Sequence, residues 1–228
     1  MTALVGGARL GVVRLLSARA MVAPAVASLF VVTAAALERL VSPPEAADHA
    51  LVGATFGLAL PLLAFVTLGR ATGSSRLDAA VWEVARHGGN RRLGAAGLVG
   101  VSALFLGLCG AALAALAVLV TRGWGDATLA RDVLASAWVG LLGGICYGCW
   151  FALAAGFGAT GGGRTAALLL DWVLGSGTTA LAVLWPRGHL RNLLGAEPVL
   201  QMPQWSALVA VLLLSLVYAA AALWRTRR

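Results

Sequence analysis

Few side chains in this sequence have the type and spacing to do chemistry. Cys146-Tyr147-Gly148-Cys149 is a C-x-x-C, the spacing that opens many zinc and thiol-redox sites. No second pair accompanies it, and Cys109 stands alone in another apolar stretch. His49, His87 and His189 fall in three separate segments between apolar runs, so four converging metal ligands are not expected. The C-x-x-C then reads as small-residue packing. No Gly-x-Ser-x-Gly elbow and no His-Glu-x-x-His occurs. All 17 basic residues are Arg, and a phosphate-cradling Walker loop needs a Lys. The chain is therefore expected to be no enzyme, with no catalytic residue, no metal and no cofactor of its own. One acid is out of place: Asp171 lies about two turns inside an apolar run. At that depth an acid costs about 2.5–3.5 kcal/mol on the insertion scale, which marks either an intramembrane polar site or local neutralisation. Arg164 stands seven residues earlier on the same helical face, and an ion pair or water near the cytoplasmic interface would satisfy Asp171.

The elements that carry these residues follow from composition. Of 228 residues, 60% are hydrophobic and 11% charged, and the mean hydropathy is +0.89. Soluble domains carry about 25% charged residues, so a soluble single-core enzyme and a disordered chain are both excluded. A bilayer core of about 30 Å needs about 20 apolar residues per helix. Six stretches qualify, at 20–37, 50–68, 95–120, 133–157, 165–185 and 205–224. The expectation is an all-α polytopic membrane protein, one transmembrane domain over 1–228. The leader before the first stretch, about 20 residues with three arginines, is long for a signal peptide. No loop is large enough to bury a core of its own.

The loops alternate in charge. One side collects Arg9, Arg14, Arg19, Arg70, Arg76, Arg86, Arg91, Arg92, Arg164, Arg225, Arg227 and Arg228. The other holds Arg39, Arg122, Arg131, Arg187 and Arg191 with six of the nine acids. The positive-inside rule then puts both termini in the cytoplasm. The net charge of +8 is thus assigned to membrane orientation, and no nucleic acid is expected. Heavy Arg and Ala use without Lys fits a GC-rich bacterial genome, hence a bacterial plasma (inner) membrane.

The loop at 69–94 is the most informative. Ser75-Arg76-Leu77-Asp78 fits a capping box. Leu77, Val81 and Val84 recur at helical spacing, and Gly88-Gly89 marks a stop. A short amphipathic cytoplasmic helix is expected at about 76–87. It either lies on lipid with Trp82 at the headgroups or docks a cytoplasmic partner. Asp78 and Glu83 break the all-basic face that an anionic surface would favour, which points to docking. The contacts would be Arg76, Asp78, Trp82, Glu83, Arg86 and His87. An external amphipathic segment at about 186–204 is expected to cap the bundle or gate a path. Gly140, Gly144 and Gly148, four apart, allow close helix packing, within the chain or across a dimer seam.

Six spans, cytoplasmic ends, a cytoplasmic amphipathic helix between spans two and three, and an amphipathic external stretch before the last span resemble the membrane (permease) subunit of a type-2 ATP-binding-cassette exporter. The nearest local match is Trp82-Glu83-Val84-Ala85-Arg86-His87-Gly88. The resemblance implies a coupling helix at 76–87 docked on a separate ATPase subunit, which would hold ATP and Mg. It also implies a homodimer or heterodimer of membrane subunits moving a substrate outward by alternating access. A non-transporting membrane scaffold or assembly factor is the alternative.

Overall fold

The computed structural model describes residues 2–86, 88–158 and 160–226, and among these the regular elements are helices. Helix α1 (Ala3–Leu15) is followed by α2 (Ala18–Val41). The second apolar stretch is one continuous 26-residue helix, Ala46–Ala71. It comprises α3 (Ala46–His49), a π-helical segment Ala50–Ala59, and α4 (Leu60–Ala71). Pro61 has no N–H to offer the carbonyls one turn earlier, and the wide turns give way to α-helix there.

Two short helices, α5 (Leu77–Ala80) and α6 (Trp82–Arg86), lead to α7 (Arg91–Arg122) and α8 (Leu129–Ala154). At 1.5 Å per residue the 32 residues of α7 run about 48 Å, well beyond a bilayer core. α1 crosses its first turns through facing glycines: a Cβ on Gly7 would collide with the Gly94 carbonyl, and one on Gly97 with the Leu4 carbonyl. The α7–α8 pair is antiparallel. Gly140, Gly144 and Gly148 lie against Gly110, Gly107 and Ala103, and a Cβ on Gly148 would come 2.7 Å from Ala103 Cα. In lipid, where no hydrophobic drive pulls helices together, such backbone contact supplies the packing energy. The glycine triplet is therefore spent on packing within the chain.

Among the described residues, five helices are long and apolar enough to cross a membrane: Ala18–Val41, Ala46–Ala71, Arg91–Arg122, Leu129–Ala154 and Gln204–Arg225, the last being α11. The expected fifth span at 165–185 is not one helix. Its helical part, α9 (Gly163–Leu174), has 12 residues, about 18 Å. It stops at Gly175-Ser176-Gly177-Thr178-Thr179, a run of weak helix formers. A 3-10 turn, Ala180–Leu184, then leads through extended Trp185 to α10 (Pro186–Leu193), with Pro186 in the first turn, where its missing N–H costs nothing.

The segment from 186 begins inside the bundle, and at Leu193, Leu194 and Gln204 it reaches the end that carries Asp48, Arg122 and Asp132. His189 and Leu190 of α10 are fully buried, and Asn192 is 3% exposed. The Leu190 methyls fill the space over Gly143 beside the Phe56 ring. Tyr218 of α11 donates to the Leu184 carbonyl, and Trp185 packs edge-on to Trp150 of α8 with centroids 5.2 Å apart. Tyr218 lies fourteen residues into α11, so the chain between α9 and α11 dips deep into the bundle and returns along α10.

The spanning helices alternate in direction and so define two ends. One carries the start of α2, the end of α4, α5, α6, the start of α7, the end of α8 and the end of α11. Ten described arginines sit there with two acids, Asp78 and Glu83. The opposite end has the acids and their pairs: His49 with Glu38 at 3.2 Å, and Arg122 with Asp126 and Asp132 at 3.6 and 3.4 Å. The Thr128 backbone N–H and hydroxyl hold the Asp126 carboxyl below the usual range. Such exposed pairs contribute little stability each.

Candidate docking surface and a buried polar contact

The loop expected to be one helix over 76–87 is two. Val81 (φ −100, ψ 4) breaks the ladder between α5 and α6. The capping box does not form either. Arg76 is the N-cap and makes no side-chain cap bond. Ser75 Oγ instead donates to the Thr72 carbonyl at 2.6 Å, and Asp78 accepts from Arg76 Nε at 3.0 Å. Gly88 (φ +80) ends α6, with its N–H on the Ala85 carbonyl at 3.0 Å. A left-handed residue at that position favours glycine.

Burial divides the segment into an anchor and a face. Leu77, Ala80 and Val81 are buried, and the Leu77 N–H donates to Ala155, just past α8, at 3.3 Å. Trp82, Glu83 and Arg86 are exposed, and Arg76 and Asp78 are half-buried. The Arg91 guanidinium sits 4.3 Å from the Trp82 ring centroid. That contact fixes the indole on the surface, where such pairs contribute about 0.5–1 kcal/mol. Glu83 has no ion-pair partner among the described residues and borders an open groove of about 850 Å³ shared with Arg9 of α1 and Asn90. His87 lies outside the described residues. The structure thus brings Arg76, Asp78, Trp82, Glu83 and Arg86 together on one short segment. Five residues separate it from α4 (72–76) and four from α7 (87–90).

Asp171 is fully buried, and Arg164 is not its partner. Arg164 donates through Nη1 to Thr72 Oγ1 at 2.7 Å and ties the start of α9 to the end of α4. Asp171 accepts from the Tyr147 hydroxyl at 2.8 Å, and the Arg187 backbone N–H is 3.5 Å from its other oxygen. The Arg187 guanidinium reaches over Gly57 of the π-helical segment, where a Cβ would stand 3.2 Å from Nη2. Three separate elements, α8, α9 and α10, converge on this carboxyl. Sequence reading passed over Tyr147 because it sits inside the C-x-x-C, and it placed Arg187 in an outer loop. The available signal was the Gly175–Thr179 break followed by Pro186, which announces a new helix start.

The cysteines are free, and among the described residues no group of three or more His, Cys, Asp or Glu side chains is arranged to hold a metal. The arrangement offers a charged surface and a buried hydrogen bond. No protein-family model matches the sequence, and no curated protein or solved structure is significantly similar to it.

Proposed function

We propose that the chain is the membrane subunit of an ATP-driven exporter, in which a separate ATPase subunit docks on α5–α6 at the cytoplasmic face of a bacterial plasma membrane. Two membrane subunits, identical or related, form the working unit, and both termini are cytoplasmic. α5–α6 is the coupling element, and the dipping segment between α9 and α11 completes a sixth crossing together with α9.

One observation carries the reading: a segment with an exposed face of Trp82, Glu83 and Arg86 is anchored by buried Leu77 and Val81 between two spanning helices. The connectors are too short to absorb a push, so force on the exposed face is transmitted to α4 and α7. Charged groups on such a face set register and association rate more than raw affinity. The lack of any Lys leaves nucleotide hydrolysis to the partner.

The test is affinity purification of the tagged chain in mild detergent. Export predicts a soluble ATPase at equal ratio, silent hydrolysis by the chain alone, and loss of coupled transport in Glu83→Arg with membrane insertion intact. Recovery with other membrane proteins and no ATPase would instead support a scaffold.

A further inference from the structure

A trough of about 480 Å³ runs along the lipid-facing surface between α2 and the second spanning helix, from Leu58 to Arg70. Its rims are large and exposed: Val26 and Phe30 on one side, Leu58 and Leu62 on the other. Its floor contains Ala23, Ala27 and Ala59, so the depth comes from missing side-chain volume. The twelve steps from Leu58 to Arg70 rise about 18 Å, close to the half-thickness of a bilayer core of about 30 Å. The trough therefore fits one leaflet, with its apolar part near the midplane and Arg70 at headgroup level.

At that level the charge is unbalanced. Arg70 donates to the Arg19 carbonyl, and Arg14 donates to the Ala71 carbonyl at 2.7 Å, so the chain holds these guanidinium groups in place through main-chain oxygens. Among the described residues, none of Arg14, Arg19 and Arg70 has a carboxylate within ion-pair distance. A guanidinium has five donors in a fixed fork, and a phosphodiester is the lipid group that matches them. We infer that the trough holds one acyl chain of an anionic phospholipid with its phosphate on Arg70, flanked by Arg19 and Arg14. The inference does not depend on the transport reading.

Native mass spectrometry of the full chain in detergent, mixed with equal palmitoyl-oleoyl phosphatidylglycerol and phosphatidylcholine, tests it. One phosphatidylglycerol is retained in preference to phosphatidylcholine, and Arg70→Gln reduces that preference about fivefold, as expected for one basic group at a membrane surface. Ala27→Phe fills the trough and lowers retention of both lipids. Arg19→Gln serves as a second charge variant on the exposed surface. Equal retention of the two lipids by the unaltered chain overturns the proposal. So does a phosphatidylglycerol preference that survives all three variants, which places the lipid elsewhere. Loss of a dimer peak in Ala27→Phe with lipid retention intact assigns the trough to a second copy and also overturns it.

Discussion

The Tyr147 hydroxyl donates to Asp171 Oδ2 at 2.8 Å across the α8–α9 contact, and neither side chain reaches solvent. The pair joins the short helix α9 to the most tightly packed part of the bundle. Hydrogen bonds to charged groups contribute about 1.5–3 kcal/mol, and a buried acceptor left without its donor loses at least that much. Tyr147→Phe is therefore expected to destabilise the chain by about 1.5–3 kcal/mol, read by thermal unfolding in detergent. In Tyr147→Phe/Asp171→Asn the loss is smaller than the sum of the two single changes, because the residues share one interaction. Additive losses would show that they do not.

Gly144 and Gly100 make a paired test of helix packing. A Cβ at Gly144 would collide with the Leu106 carbonyl, whereas nothing lies within 4 Å of a Cβ at Gly100. Gly144→Ala is expected to cost about 1–3 kcal/mol through overpacking. Gly100→Ala, at an exposed position of α7, gains up to about 1 kcal/mol from helix propensity. Thermal unfolding separates the two. Size-exclusion chromatography checks that Gly144→Ala leaves the oligomeric state unchanged, as packing within one chain requires.

Leu190 tests whether α10 belongs to the bundle. It is fully buried over Gly143, while Leu200, a few residues beyond α10, is 53% exposed. Leu190→Ala is expected to cost about 2–5 kcal/mol in urea or thermal unfolding. Leu200→Ala changes stability by less than about 0.5 kcal/mol. Equal small effects would describe a loop lying loosely over the outer surface.

Val81 anchors α5–α6, and hydrogen exchange reports on that anchor locally. Val81→Asp places a charge at a fully buried position with no basic partner designed for it. Exchange over 77–86 accelerates at least tenfold, while the interiors of α7 and α8 keep their protection. Acceleration spread evenly over all helices would mean that the segment is part of the core rather than an appendage fastened to it.

Sequence pattern located the five long apolar helices within a few residues, because a run of about 20 apolar residues satisfies its backbone in lipid only as a helix. The same counting failed at 165–185, where apolar content is high enough but Gly175 and Gly177 interrupt the helix. Hydrophobicity measures transfer from water and is blind to backbone continuity. The break at Val81 was hidden for a related reason: Leu77, Val81 and Val84 keep helical spacing across it, since all three face the bundle although Val81 belongs to neither short helix. The capping box failed because the Ser75 hydroxyl had a competing acceptor, the Thr72 carbonyl, three residues back. The pairing of Asp171 with Tyr147 rather than Arg164 depends on how α8 meets α9, and local spacing carries no trace of that. The exposed face of Trp82, Glu83 and Arg86 was legible because charge and aromatic content in a short loop change little with the details of the helix beneath.

Site-specific photocrosslinking in living cells bears most directly on the docking role of α5–α6. A benzophenone side chain replacing Glu83 is expected to trap a soluble nucleotide-binding protein in high yield, and one replacing Leu108, exposed on the lipid-facing side of α7, is not. Crosslinks from position 83 to phospholipid alone, in cells where the protein is active, would contradict the account.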